Sequence, residues 1–314
     1  AMGADVPLAE RAAWLAKADL LTNMVGEFPE LQGIMGRYYA LNDGEERPVA
    51  AAIEQHYRPR FAGDALPDDP VATALALADK LETLAGLFGI GQLPTGDKDP
   101  FALRRHALGV IRMLVEGKLP LALNKLVAAA FDAFPAGKLG SAHTDLEAFI
   151  IERLRGYLRD NGYSANEIES VLCMKPTRLD QVPLQLAAVR AFAKLPEADS
   201  LAAANKRVAN ILRQAEAKGE TFAEAQATEL KEPAEHALLS ALKLASGNAT
   251  PLLQAGDYAG YLRAFAVLKT PVDAFFDSVM VMVDDPALRR SRLALLQDLR
   301  REMNRFADLS KLSS

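Results

Sequence analysis

Two acids stand where an acid is costly. Asp79 lies in the middle of LALADKLETLAG (75–86), a leucine- and alanine-rich run of the kind that becomes a buried helix. Asp19 occupies a similar place in AWLAKADLL (13–21). On a wheel of ~100° per residue, Ala12, Leu15 and Asp19 fall within roughly 40° of Leu8, which puts Asp19 in the apolar stripe. An ionised carboxylate there needs a partner. Two such acids on sequence-distant helices suggest a shared polar site. Equally, each could satisfy a buried backbone donor, a helix N-terminus or an arginine. His56, His106, His143 and His236 are scattered without ligand spacing. His106 follows Arg104 and Arg105 and reads as part of a basic helix face.

A second stretch with chemical potential is GIGQLPTGDKDPFALRR (89–105). Gly91 and Gly96 have the spacing of a phosphate-binding loop, which requires G-x-x-x-x-G-K-[ST] after a strand. Here Asp97 occupies the lysine slot, Lys98 is displaced, Asp99 replaces the hydroxyl, and a helix precedes. The phosphate-loop reading fails. The glycines end one helix, Asp99-Pro100 starts the next, and Arg104 and Arg105 project from its first turns, where paired arginines can hold an anion or simply be solvated.

The elements that must position these residues are helices. Valine and isoleucine sit inside leucine- and alanine-rich segments rather than in alternating runs, so strand signals are nearly absent. Helix punctuation is frequent. Asp69-Pro70 and Asp285-Pro286 read as N-cap followed by first helical residue, and Ser164 with Glu167 is a capping box. Helices are predicted from Pro7 to about Phe28, over 48–57, 70–88, 100–116, 120–134, 142–160, 164–173 and 182–194, from Asp199-Ser200 to about Ala217, over 234–244, 257–268 and 271–282, and from Asp285 to about Leu309. The expected class is all-α. KPTRLDQVP (175–183), with its two prolines, marks a domain break, and the polar stretch 217–233 reads as a mobile connection.

Composition narrows the function classes. The 314 residues favour about two domains. Half are hydrophobic and the net charge is −5, so no global basic field advertises nucleic acid, although a local basic face would suffice. The single cysteine, Cys173, excludes a disulfide framework within the chain and thiolate metal clusters, and fits a reducing, cytoplasmic setting. No apolar run approaches the ~18 residues of a membrane span. The opening Ala1-Met2-Gly3 reads as a cloning remnant, and the chain as a fragment of something longer.

In the second half, LAAANKRVANIL (201–212) places Leu201, Val208, Ile211 and Leu212 on one face. Lys206 and Arg213 fall on the other, with Arg207 at the border. In the C-terminal helix, Leu288, Leu295, Leu299, Met303 and Phe306 form a stripe opposite Arg290, Arg301 and Arg305. Arg292 falls inside the stripe and should reach an acid (Asp284, Asp285 or Asp273) or a helix C-terminus, because a buried guanidinium cannot be left unpaired. For the exposed arginines, solvation and phosphate contact are both open. Tyr258, Tyr261, Phe265, Phe275 and Phe276 are candidate stacking residues, though at helical spacing most belong to a core.

Several of these segments resemble known families. ADKLETL resembles the last motif of HD-domain phosphohydrolases, whose final metal ligand is the aspartate of such an A-D-[KR]-L helix, and LAKADL resembles the helix that bears the His-Asp pair. Here the pair reads Ala18-Asp19, with no matching histidine in residues 1–17. The resemblance implies a retained helical fold with Asp19 and Asp79 at degenerate positions, and with no metal and no catalytic residue. GEFPELQGIMGRYYA (26–40), residues 56–91 and PTGDKDPFALRRHALGVIR (94–112) closely resemble the β subunits of bacterial glycyl-tRNA synthetases, and the likeness continues through PTRLDQVP to FFDSVMVMVDDPALRRSRLALL. N-K-R-V-x-N-I-L and V-M-V-x-D-x-x-L-R-x-x-R-L-x-L-L are similar to the α-helical anticodon-binding domain shared with arginyl-tRNA synthetases; Asn205, Lys206, Arg207, Asn210, Arg289 and Arg292 stand at the matching positions.

These resemblances imply a degenerate HD-like domain over 1–175 and an anticodon-binding bundle over 176–314. Lys206, Arg207, Asn210, Arg289, Arg290, Arg301, Arg104 and Arg105 are then the candidates for tRNA contact. They also imply a tRNA-Gly partner, an α subunit that carries the glycine chemistry, and ATP and Mg in the complete enzyme, with no cofactor in this part of it. The rival expectations are an HD-type metal-dependent phosphohydrolase using Asp19 and Asp79, and a module that docks the α subunit without touching RNA.

Overall fold

A computed structural model describes residues 2–96, 98–220 and 229–313. Asp97, in the failed lysine slot, and residues 221–228 of the polar connection lie outside the described residues. The described residues form helices and no strand, with two isolated bridges, Thr95 to Lys98 and Ala122 to Arg178. The all-α class is the one the sequence predicts. The chain divides into two compact units, residues 1–161 with 177–181, and residues 162–176 with 182–314.

The first unit contains α1 (Val6–Leu15), α2 (Asn23–Glu27), α3 (Ile34–Asn42), α4 (Arg47–Gln55), α5 (Pro70–Gly89), α6 (Leu103–Glu116), α7 (Leu123–Asp132) and α8 (His143–Asp160). Its centre is α5. Val71, Ala72, Leu75, Ala76, Leu81, Leu84, Ala85 and Phe88 of that helix are all buried. α1 and α4 pack on it from one side, and α6, α7 and α8 complete its surroundings. Asp69 starts the helix as predicted, accepting from the N–H groups of Val71 (2.7 Å) and Ala72 (3.4 Å).

Two boundaries differ from the prediction. The helix expected to run from Pro7 to Phe28 stops at Leu15; Ala18–Leu21 is a 3-10 turn and α2 follows. The helical path breaks at Lys17, whose φ of −120° and ψ of 15° are not helical; after the turn the Thr22 hydroxyl donates to Asp19 O (2.7 Å) and its side chain caps α2 at Val25 N–H. Asp19 is therefore buried as expected, but from a turn rather than from a helical stripe. α6 begins at Leu103, not at Pro100. Asp99 still caps it, accepting from Leu103 N–H (2.8 Å) and Arg104 N–H (2.9 Å), while Ala102 takes a left-handed φ of 54° between them. α3 follows Gly33, whose φ of 79° suits glycine; the composition of its segment gave no helix signal.

The second unit contains α9 (Ala165–Leu172), α10 (Val182–Phe192), α11 (Ala198–Ala217), α12 (Pro233–Gln254), α13 (Tyr258–Ala264), α14 (Lys269–Ser278) and α15 (Pro286–Met303). α11 packs on α14 and α15, and α12 on α13, α14 and α15. Ser164 and Glu167 form the predicted capping box of α9. α12 runs ten residues past its predicted end, through Pro251, and α15 ends six residues early at Met303. Beyond α15 the chain stays in the core: Phe306 and Ala307 are buried, and Leu309–Leu312 is a 3-10 turn against α11 and α9.

Candidate functional site

The two acids of the first unit do different things. Asp19 is 3% exposed, and its Oδ2 accepts from the N–H groups of Gly33 (2.7 Å) and Gly36 (3.1 Å). It therefore holds the otherwise unpaired N-terminus of α3. A Cβ at Gly36 would come 3.1 Å from this carboxylate and 2.6 Å from Ile53 Cγ2, so glycine is what permits the approach. Asp79 is half-buried and pairs with Lys17 Nζ at 2.6 Å. Both acids still act on one neighbour: burial, then the charges of Asp19 and Asp79, push the Tyr57 hydroxyl up to about 12.

This arrangement does not suit a metal of the HD kind. Such a centre combines imidazole nitrogens with carboxylate oxygens. Here Ala18 stands where the resembling motif has its imidazole, one oxygen of Asp19 accepts from a helix N-terminus, and Asp79 pairs with an ammonium. Among the described residues no group of three or more His, Cys, Asp or Glu is arranged to hold a metal ion.

A cleft of 650 Å³ opens in this unit, within the range of small-ligand sites. Lys17, Arg58, Lys80, Arg105 and His106 line it, with Tyr57 and Asp79. Sequence reading passed over most of these residues. Lys80, next to the acid of the ADKL motif, is 3% exposed, and its Nζ donates to His56 O (3.1 Å). Burial lowers its pKa to about 8. His106 is not a solvated face residue: it lines the cleft with its Nδ1 buried and without a hydrogen-bond partner, and burial followed by the charge of Lys80 lowers its pKa. His56 is fully buried, with its Nδ1 bound to Ile53 O at 2.8 Å. Two of the scattered histidines thus flank one lysine. The available signal was the run HYRPR at 56–60, which puts a histidine, a tyrosine and two arginines side by side.

The predicted arginine pair of α6 separates. Arg104 bonds Gly96 O and braces the loop before it, whereas Arg105 is exposed at the cleft.

In the second unit the candidates also divide. Lys206, Arg207 and Asn210 are exposed on one face of α11. The guanidinium of Arg207 lies 4.2 Å from the centre of the half-buried Phe276 ring, and Asn210 accepts from Arg213 (2.8 Å). Arg290 is exposed on α15 and, among the described residues, donates to its own helix at Pro286 O. Arg301 is exposed but pairs with Asp298 (2.7 Å) and Glu302 (3.2 Å). Arg289 points back to Glu220 (2.8 Å) and Val283 O (2.7 Å). Asn205 is buried and bonded to Asn304 (2.8 Å).

Arg292 is buried as predicted, but its acid is none of the three proposed. It bonds Glu235 of α12 and donates to Met280 O at 2.6 Å. Asp285 is occupied by its own helix N-terminus and Lys231, and Asp273 by Lys269 and Ser200. Of the five aromatics, Tyr258, Tyr261, Phe265 and Phe275 are core, leaving Phe276 at the surface.

An all-helical second unit with a cationic α11 face beside a half-exposed aromatic defines a candidate RNA-holding bundle. The family model described as DALR anticodon binding domain matches residues 201–309, which span this face, and the one described as Glycyl-tRNA synthetase beta subunit matches residues 2–173. The glycine–tRNA ligase beta subunit of Thiobacillus denitrificans is 63% identical over 98% of the chain, which covers 43% of that relative. Those of a Janthinobacterium species (58%, covering 44% of the relative) and Leptothrix cholodnii (60%, covering 42%) are similar. The chain belongs to the glycyl-tRNA synthetase β-subunit family. It spans less than half the length of the curated relatives it matches.

Proposed function

We propose that this chain is the tRNA-holding part of a glycine–tRNA ligase β subunit. The observation that carries the reading is the match of the anticodon-binding model to the stretch that bears Lys206, Arg207, Asn210 and Arg290 at the surface. In this reading the second unit holds the anticodon arm of tRNA-Gly. Exposed cations engage phosphates, and the Arg207–Phe276 pair offers a stacking surface for an unpaired base. The first unit is a degenerate HD-like domain placed nearer the acceptor side, and Arg104 and Arg105 belong to it. The complete ligase joins glycine to tRNA with ATP and Mg, the chemistry residing in an α subunit, in the cytoplasm. No residue of this chain is assigned a catalytic role. No helix among the described residues is long and apolar enough to cross a membrane.

The test is a filter-binding assay of the chain with glycine tRNA and an unrelated tRNA at two salt concentrations. Tighter binding to glycine tRNA that weakens steeply with salt is expected. Arg207→Ala and Arg290→Ala should each reduce it without changing the melting curve. Equal, salt-insensitive retention of both RNAs would overturn the reading.

A further inference from the structure

The cleft of the first unit holds an ammonium that folding leaves undersatisfied. Lys80 has three N–H donors and one hydrogen-bond acceptor, the His56 carbonyl, although the residue is 97% shielded from solvent. Its position is built rather than incidental. A Cβ on Gly109 would stand 2.7 Å from Lys80 Cε and 2.9 Å from Cδ, so the lysine stem passes through space that only a glycine leaves open. The carboxylates around it are bonded to other cations: Asp79 to Lys17 at 2.6 Å, Asp64 to Arg60 at 3.0 Å, and Glu54 to Arg37 and Arg58 at 2.9 and 3.5 Å. Glu30 also lines the cleft, but at its exposed rim. Among the described residues Arg105 has no carboxylate within ion-pair distance, and His106 presents a buried Nδ1 without a hydrogen-bond partner. Among the described residues, two cations with no carboxylate bonded to them and an imidazole nitrogen without a partner therefore converge on one space.

We infer that this cleft binds a terminal phosphate monoester, with Lys80 at its floor, Arg105 at its rim and His106 beside it. A phosphate monoester supplies several acceptor oxygens and a charge near −2, matching two cations and the spare donors. Depth selects a chain end. An ammonium this shielded is out of reach of a phosphodiester running along the surface, whereas a terminal phosphate can enter. The same chemistry is carried by the 5′-phosphate of an RNA and by a free mononucleotide. The site uses none of the carboxylate–metal chemistry that its surroundings have lost. It also stands apart from the exposed cations of the second unit.

Titration calorimetry of the whole chain with AMP, with inorganic phosphate, and with one short single-stranded RNA in 5′-phosphate and 5′-hydroxyl forms separates the sources. The 5′-phosphate form should bind about tenfold tighter than the 5′-hydroxyl form, the effect of one charge-assisted contact. Lys80→Met and Arg105→Ala should each remove most of that preference, with circular dichroism unchanged, whereas Arg290→Ala should leave it intact even if overall RNA affinity falls. The 13C shift of Lys80 Cε, followed through a pH titration, should move to a higher midpoint when ligand is bound. Binding of AMP and phosphate with no preference between the two RNAs would support the site and assign it to free monophosphates. Equal affinity for both RNAs with no heat from AMP or phosphate would overturn it, as would a preference that survives both Lys80→Met and Arg105→Ala.

Discussion

Glu235 of the second unit and Lys80 of the first are both charged groups sealed from water, and the fold treats them oppositely. Glu235 is 0% exposed and fully engaged: it bonds Arg292 and accepts from the N–H groups of Lys231 (2.6 Å) and Glu232 (2.8 Å). Burial pushes its pKa up, but these bonds outweigh burial and hold it below the ordinary carboxylate value. Among the described residues Lys80 bonds one carbonyl and no carboxylate, and burial lowers its pKa. A charge supplied with every partner is structural glue, joining α12 to α15 and to the carbonyl of Met280. A charge supplied with too few is held in waiting, at a cost in stability that a bound ligand would offset.

The largest effect should come from breaking the saturated pair. Arg292→Met leaves Glu235 ionised, buried and short of its main partner, and removes the donor to Met280 O. The expected loss is about 3–5 kcal/mol in urea unfolding of the chain. A loss below about 1 kcal/mol would place this pair with ordinary surface bridges and dissolve the contrast.

Asp19 comes next. Replacing it with alanine strands the N–H groups of Gly33 and Gly36 at the start of α3, which should cost about 2 kcal/mol. Phosphate binding in the cleft should survive in the variant that remains folded, because Asp19 holds a helix there rather than a ligand.

How much of this was legible follows from what each residue depends on. Caps were readable where donor and acceptor lie within one turn: Asp69, Asp285 and the Ser164–Glu167 box all act where the sequence put them. The burial of Arg292 was readable from its own helix, since the wheel places it among Leu288, Leu295 and Leu299. Its partner was not, because Glu235 lies 57 residues away and its identity depends on how α12 meets α15. The same limit hid the cleft. Lys80 stood inside ADKLETL with no role of its own, and its burial depends on Gly109 of α6, a contact that no local pattern encodes. The helix wheel for Asp19 reached the right burial through the wrong geometry, since the helix ends at Leu15 and Asp19 sits in the 3-10 turn that follows.

Lys80→Met should move stability the other way. Folding lowers the lysine pKa from 10.5 to about 8, so the folded state disfavours the proton that the unfolded chain keeps. Stability should therefore rise as pH increases from about 8 to about 10.5, where the unfolded state binds more protons. Methionine of similar length removes the buried charge and loses only the bond to His56 O. At pH 7 the variant should be unchanged or more stable by on the order of 1 kcal/mol. It should also lose the alkaline rise in an unfolding series across that window. A variant destabilised as strongly as Arg292→Met would make Lys80 a structural charge after all.

The smallest effect carries the comparison to two neighbours on α15. Arg289 bonds Glu220 and Val283 O, and the side chains of Arg289 and Glu220 are each about four-fifths buried. Arg290, one residue on, is exposed and among the described residues reaches Pro286 O at 3.3 Å. Truncating Arg289 to alanine should cost about 1 kcal/mol, because it leaves a part-buried carboxylate without its partner. Truncating Arg290 should stay within about 0.5 kcal/mol, as expected for a surface side chain with no acid to lose. RNA affinity should sort them in the reverse order, since a guanidinium already bound to an acid has less to offer a phosphate than one facing solvent. Filter binding of glycine tRNA to the two variants, read beside their unfolding curves, decides it: if Arg289→Ala weakens RNA binding more than Arg290→Ala at equal folded fraction, internal pairing is no guide to which cations of this helix meet the nucleic acid.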